Sequence, residues 1–362
     1  MMKFKMPVYQ GPDFNTPVLQ KVPDAVTEPV KKNGVAPQNY HATTIFPEYY
    51  KIDGRWTLLE QSRMDGVVVL HDDGRLEVKE FRRLMAGDRV FVGRTEDGSE
   101  GILVHATGFH QGEADAETFA FRTGRSRETS YSRDYDRLYE LLKYEKDHGY
   151  IVWVLGPAVV FDWDSKQALI SLIENGYVDA ILAGNALATH DLEGALFQTA
   201  LGQDIYTQES IANGHYHHLD VLNQAREHSS LAAFVAANHI QDSIVAACVR
   251  TGVPMVLAGS IRDDGPLPEV VADAYEAQNL MRQQAKQATT VICLATQLHS
   301  IATGNMTPAY QVMEGAVRPV FIYSVDVSEF AVNKLKDRGS LEVTSIVTNI
   351  QDFLVHIQRK LV

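Results

Sequence analysis

Cysteine is nearly absent: Cys248 and Cys293 are the only two in 362 residues. Each lies in an apolar stretch, SIVAACVR and TTVICLAT, with no CxxC spacing. That excludes a disulfide framework and leads us to expect two buried, inert thiols. Positive charge is short too. Lys and Arg number 33 against 46 Asp and Glu, a formal net charge of -13. A field of that sign repels phosphate backbones and anionic membranes, which excludes nucleic acid and membrane surfaces as partners. No run approaches the roughly 18 apolar residues of a membrane span, and the opening MMKFKMPVYQGPDF lacks the apolar stretch of a secretory signal. A cytoplasmic protein is expected. The GxGxxG fingerprint of many dinucleotide sites is also missing.

What is present is ordinary globular composition, 45% hydrophobic and 22% charged, in a chain long enough for about two domains. Residues 1–35 are polar and Pro-containing without periodicity and read as an N-terminal arm. Residues 36–125 contain the short β-branched runs GVVVL, RLEVKEF, DRVFVG and GILVHAT, broken by HDDG, MAGD and EDGSEG: a small β-rich subdomain. A helix with Leu138, Leu141 and Leu142 on one face and Gly149 at its end bridges to the rest. Over 126–362 the apolar runs IVWVLG, VDAILAG, VPMVLAGS, TTVICLAT, VFIYSVD and LEVTSIVTN mostly alternate with helical stretches. These helices are SKQALISLIEN, NALATHDLEGALFQTAL, HHLDVLNQAREH, LPEVVADAYEAQNLMRQQAK and SEFAVNKLKDR. Such alternation predicts an α/β fold with a doubly wound parallel sheet.

Ligands of open parallel sheets sit beyond the carboxyl ends of the strands, and the residues there are small and polar. VDAILAG leads into Asn185, Ala186 and Thr189-His190-Asp191; VPMVLAGS into Ser260, Arg262, Asp263 and Asp264; TTVICLAT into Gln297, Leu298, His299 and Ser300. Loop amides and helix N-termini at such places favour anions, so a dinucleotide site is plausible. Asp326, ending VFIYSV, suits a ribose diol, or caps a helix with Ser328 nearby. Arg262-Asp263-Asp264 reads either as a solvated turn or as a cluster of functional charge. The run Gly214-His215-Tyr216-His217-His218 lacks a distant third ligand, and no metal site is expected from it. Arg122, Arg125, Arg127 and Arg133 form a local positive patch, a solvated face or a grip for an acidic group.

The series GPAVVF, ENGYVDAILAGNALATHD, VPMVLAGSIRDDGPLPEV, LATQLHSIATGN and VNKLKDRGS resembles the archaeal-type ornithine cyclodeaminase family, related to a region found beside lysine-ketoglutarate reductase and saccharopine dehydrogenase units. YHATTIFPEYYKIDGRW and RMDGVVVL resemble its N-terminal subdomain, so the likeness runs from about residue 36 to the end. It implies a Rossmann-like domain using NAD. Contacts would fall on Asn185, Ala186, Asp264, Thr296, Gln297, Leu298, His299 and Asp326, and on Asn349, where the family's VTD element reads Val347-Thr348-Asn349.

The reaction it implies is closed: hydride leaves the α-carbon of ornithine, the δ-amine attacks, ammonia departs, and the hydride returns to give proline. Position and chemical type single out Asp263 and His299 for proton handling and Arg262 for the substrate carboxylate. Two departures from the family bear on substrate: Phe119-Ala120-Phe121 is followed by the basic RTGRSRETSYS, and residues 306–320 form a longer connection. Two competing readings are a net NAD-linked dehydrogenase of amino or opine-type acids and a non-catalytic NAD-sensing module. A homo-oligomer acting on a small amino acid is expected. An acidic group at the ribose disfavours the 2′-phosphate of NADP.

Overall fold

Ile151–Leu155 (β8) has no exposed side chain, and its residues divide between two cores. Ile151, Trp153 and Leu155 pack into one cluster and Val152 and Val154 into another on the opposite face. A strand buried on both faces shows as an unbroken apolar run. Thr290–Leu294 (β13) behaves likewise, with Ile292 and Leu294 on one side and Val291 and Cys293 on the other. Both cysteine thiols are buried, and desolvation pushes each up to about 12. They are inert, as expected.

The computed structural model describes residues 4–109, 132–263, 265–328 and 340–362, and of Ser132 and Arg133 the backbone alone. Its main sheet has six strands, all parallel, in the order Met255–Ala258 (β12), Ala180–Gly184 (β9), β8, β13, Phe321–Asp326 (β16), Glu342–Val347 (β17). Counted within this unit the order is 3-2-1-4-5-6, so the chain reverses direction across the sheet between β8 and β13. One face is covered by Ser132–His148 (α2), Trp163–Glu174 (α3), Asn185–Phe197 (α4), Ile244–Thr251 (α7) and Ile350–Leu361 (α10), the other by Ala274–Ala285 (α8) and Gln297–Met306 (α9). Leu138, Leu141 and Leu142 of α2 are fully buried. Gly149 ends that helix for want of space: a Cβ there would lie 1.7 Å from Glu145 Oε2.

Several elements differ from expectation. LPEVVAD is not helical; Val271 instead makes a parallel bridge to Ala258, extending the sheet edge. The helix begins only at Ala274, where Asp273 accepts the amides of Tyr275 and Glu276. SEFAVNKLKDR lies almost wholly outside the described residues, as do the proposed boundary at 125, Phe119-Ala120-Phe121, and Arg122, Arg125 and Arg127. The N-terminal arm is built into the molecule. Val26–Pro29 (β1) pairs with Arg89–Val92 (β6), and Val30 is buried behind it.

The small unit consists of two antiparallel sheets, β1-β6-β4-β5 with Val67–Leu70 (β4) and Leu76–Lys79 (β5), and β3-β2-β7 with Glu48–Ile52 (β2), Arg55–Leu58 (β3) and Ile102–Val104 (β7). Tyr50, Leu59, Val68, Phe91 and Ile102 fill the space between them. The unit docks against α8 and the end of α9. Glu80 receives both Arg63 and, at 2.6 Å, Arg282, while the Ala309 amide donates to Ser62 O at 2.7 Å. The charged cleft of about 260 Å³ between Arg63, Arg75, Glu77, Lys286 and Met306 opens here. Because α9 leaves the carboxyl end of β13 and runs back along it, this cleft lies at the amino ends of the strands, away from their carboxyl edge.

Candidate functional site at the carboxyl edge

The turn after β8 is Gly156-Pro157-Ala158-Val159-Val160, a tight 3-10 turn with Val159 and Val160 buried. It offers no glycine-rich cradle, since Pro157 has no N–H and Gly156 is pressed onto the next turn. A Cβ on Gly156 would meet Ala295 O at 2.0 Å and Thr296 Cβ at 3.3 Å. The two turns flanking the reversal point are thus in direct backbone contact. Ala295 itself is held at φ +50, an uncommon conformation for a residue with a side chain.

Anion-binding capacity sits instead at two helix starts. Gly184 precedes α4 and Thr296 precedes α9, and neither contributes a side-chain cap. Their first amides face outward with the positive end of the helix dipole. His299 joins the two: its Cε1 would lie 3.1 Å from a Cβ on Gly184, so the ring rests on the start of α4. Burial lowers the His299 pKa below the ordinary histidine value, favouring the neutral ring that can accept a proton.

Asn185 is buried at the end of β9 and organises the neighbouring loop. Its Oδ1 accepts the Leu267 amide at 3.1 Å and its Nδ2 donates to Asp263 Oδ1 at 3.4 Å. Asp263 closes its own turn, accepting the Ser260 amide at 2.8 Å, so its carboxylate is held in a single position. Arg262 is exposed, and its amide donates to Ser260 Oγ at 3.1 Å. Asp264 lies outside the described residues. Arg226 was not anticipated: its Nη1 would stand 2.6 Å from a Cβ on Gly265, placing a second guanidinium against this loop.

On the other side of the reversal point, Asp326 ends β16 and accepts the Ser328 amide at 3.0 Å. Asn349, beyond β17, caps α10 by accepting the amides of Gln351 and Asp352. Its carbonyl oxygen is therefore engaged, leaving its Nδ2 as a donor. The structure thus brings Asn185, Ala186, Arg262, Asp263 and His299 together over β9, β12 and β13, and sets Asp326 and Asn349 apart over β16 and β17.

Three apolar side chains fringe the same edge, one after each of three strands: Ile261 at 107% exposure, Leu298 at 77% and Val327 at 70%. Large apolar groups left in water around a polar crevice mark a surface that something flat and partly apolar covers. Uncapped helix starts, strand-end carboxylates and an apolar fringe together fit a dinucleotide.

The histidine run goes elsewhere. His217 stacks on Phe197 and hydrogen-bonds Thr199, and His215 packs on Tyr216. No group of three or more His, Cys, Asp or Glu among the described residues could hold a metal ion. Nor is any helix among them long and apolar enough to cross a membrane.

The strand order and this edge define a Rossmann-fold protein with a ligand site across its strand ends. Residues 138–357 match the family model of the C-terminal Rossmann fold of ArgZ-like arginine dihydrolases. The chain is 36% identical over 346 residues to an ornithine cyclodeaminase of Methanocaldococcus jannaschii, covering 93% of this chain and 77% of that protein. It is also 36% identical over 343 residues to the bifunctional arginine dihydrolase/ornithine cyclodeaminase AgrE of Nostoc, covering 93% of this chain and 47% of that one. In structure it superposes on a conserved LOR/SDH protein of Methanococcus maripaludis with a TM-score of 0.84 at 33% identity, over 94% of this chain and 98% of the other. AgrE in a ternary complex with ornithine and NAD+ superposes at 0.58 and 35% identity, over 94% of this chain and 46% of that one. The chain belongs to the family of archaeal-type ornithine cyclodeaminases and ArgZ-like proteins.

Proposed function

We propose that the protein is an NAD-dependent ornithine cyclodeaminase, converting L-ornithine or a close diamino acid to L-proline and ammonia. The observation that carries this reading is the convergence of two uncapped helix starts, His299 and a fixed carboxylate at the strand ends. It occurs in a chain 35% identical to a protein crystallised with ornithine and NAD+.

When bound, NAD supplies a hydride acceptor that later returns the hydride to the same carbon. The starts of α4 and α9, with Asn185, Ala186, Thr296, Gln297, Leu298 and His299, would hold the cofactor, and Asp264 is a further candidate contact. Asp326 accepts hydrogen bonds from a ribose diol, and Asn349 donates through Nδ2. By these assignments the reacting groups would lie near the ends of β9 and β12. There Asp263 and His299 hold and move protons of the substrate amines, and Arg262 neutralises the carboxylate. Ile261, Leu298 and Val327 exclude water once ligands cover them.

The test is purified protein with NAD and L-ornithine, assayed for ammonia and proline while absorbance at 340 nm is followed. Ammonia and proline in equal amounts with flat absorbance are expected. Accumulating NADH would make the protein a net dehydrogenase, and bound NAD without turnover of ornithine, lysine or diaminobutyrate would make it a sensing module.

A further inference from the structure

The charged cleft of about 260 Å³ takes no part in the roles assigned above. Its walls come from both units. Glu60, Gln61 and Arg63 lie between β3 and β4, and Glu77 lies on β5, while Lys286 follows α8 and Met306 ends α9. Glu77 of the small unit and Lys286 of the Rossmann unit bear on each other electrostatically, yet they form no ion pair. Glu77 is held instead by His71 at 2.9 Å, with Arg75 at 4.0 Å. The Lys286 ammonium has neither an ion pair nor a hydrogen bond among the described residues, although the side chain is half-buried. Burial pushes the Lys286 pKa below the ordinary lysine value. Burial would raise the Glu77 pKa, but the His71 hydrogen bond and the charges of Lys79 and Lys286 prevail and hold it below the ordinary glutamate value. Two opposite charges thus face one opening without meeting.

Positive charge is in excess around this opening. Arg63 lines it, nine-tenths buried, and shares the single carboxylate of Glu80 with Arg282, whose Nε and Nη1 are buried without a hydrogen-bond partner. Two guanidiniums on one carboxylate leave a charge uncompensated, in a chain whose net charge is -13. An occupant must therefore bring an anionic group, while Glu60 and Glu77 offer a place for a cationic one. Leu76, Val78, Met306 and Pro308 add an apolar side. The volume falls below the about 300–1,000 Å³ of sites for drug-sized ligands, which limits the occupant to about ten non-hydrogen atoms.

We propose that this cleft is a second small-molecule site, binding an α-amino acid with a short apolar side chain. The carboxylate meets Lys286, the ammonium meets Glu77, and the side chain lies against Leu76, Val78 and Met306. Such an occupant bridges the two units and stabilises the folded chain by mass action. The site is separate from the strand-end crevice and independent of the cyclodeaminase reading.

The experiment titrates the whole chain calorimetrically with L-valine, L-leucine and L-proline up to about 10 mM, enough to read a millimolar Kd. Isobutylamine and isovalerate, which are valine without its carboxylate and without its ammonium, and inorganic phosphate serve as single-charge probes. Expected is binding of at least one amino acid, with a raised melting temperature, and single-charge probes weaker by at least about tenfold, the worth of one charge-assisted hydrogen bond. Lys286→Met and Glu77→Gln, checked for folding by circular dichroism, should each weaken the amino acid to the same degree, and His299→Gln should not. Where a variant fails to fold, the probe series on wild type still decides. Wild type that binds none of the amino acids overturns the proposal. So do single-charge probes that bind as tightly as the amino acids, which would make the cleft a plain ion site. Binding unchanged in both cleft variants, or lost only in His299→Gln, places the amino acid elsewhere and overturns it too. Turnover of ornithine with NAD affects none of these outcomes, which distinguishes failure here from failure of the cyclodeaminase reading.

Discussion

Gly156→Ala tests whether the contact between the two turns at the reversal point holds the site in shape. Gly156 has ordinary backbone angles for any residue, φ -87 and ψ 165, so the substitution carries no conformational strain. The whole effect is steric. The new methyl would stand 2.0 Å from Ala295 O, where carbon and oxygen normally keep about 3.3 Å. The turn around Ala295 and Thr296 must therefore retreat by about 1.3 Å or the turn after β8 must lift by as much. Overpacking of this kind costs about 1–3 kcal/mol, a fall of several degrees in melting temperature. The same movement displaces the start of α9, and a misplacement of about 1 Å is worth about 10²-fold in a reaction. NAD affinity by calorimetry and turnover should therefore fall further than stability does. Gly54→Ala provides the contrast: that glycine has φ +75 and nothing within 4 Å, so it should lose about 1 kcal/mol of stability and no NAD affinity. Gly156→Ala that melts and binds NAD like wild type would refute the reasoning.

Glu145 is fully buried between Arg318 and Thr289, tying α2 to the hairpin before β16. Glu145→Gln leaves the Arg318 guanidinium buried without its counter-charge and should cost about 3–5 kcal/mol in urea unfolding, with Glu145→Gln/Arg318→Met recovering part of it. His299 must be neutral to accept a proton, and burial lowers its pKa from 6.5. Protonation therefore sets in only at a pH below the ordinary histidine range, and the acid limb of kcat/KM should lie below pH 6.5 and disappear in His299→Gln if His299 is the group responsible. An acid limb unchanged by that substitution assigns it to another group.

The inner strands of the main sheet were legible because they are apolar on both faces, a pattern that needs no partner to be recognised, whereas Glu342–Val347 at its edge mixes Glu342, Thr344 and Ser345 with its apolar residues. Leu138, Leu141 and Leu142 were legible for a similar reason, being one face of one helix. Helix α9 was not, since QLHSIATGN has a weak apolar pattern and holds its place by packing Met306, Thr303 and Ser300 against residues far off in the chain. Edge strand β1 was missed because its residues alternate poorly and are recruited by β6 rather than by their own propensity.

Of the site, strand-end position could be read from order alone: Asn185, Asp263, Thr296, His299 and Asp326 each come after an apolar run, and parallel strands must present their C-terminal neighbours at one edge. Composition likewise determined the electrostatic character and the inert state of the thiols. Only the tertiary structure decided which of those residues meet. The 3-2-1-4-5-6 order sets β9 and β12 on one side of the reversal point and β16 and β17 on the other, which separates Asp326 from Asp263. It also decided that Gly156 touches Ala295, that His299 lies on Gly184, that Arg226 lies against Gly265, and that His190 rests on Phe161. These contacts join residues 29 to 139 positions apart, and distances of that kind are fixed by how helices and strands pack, not by any local pattern of residues.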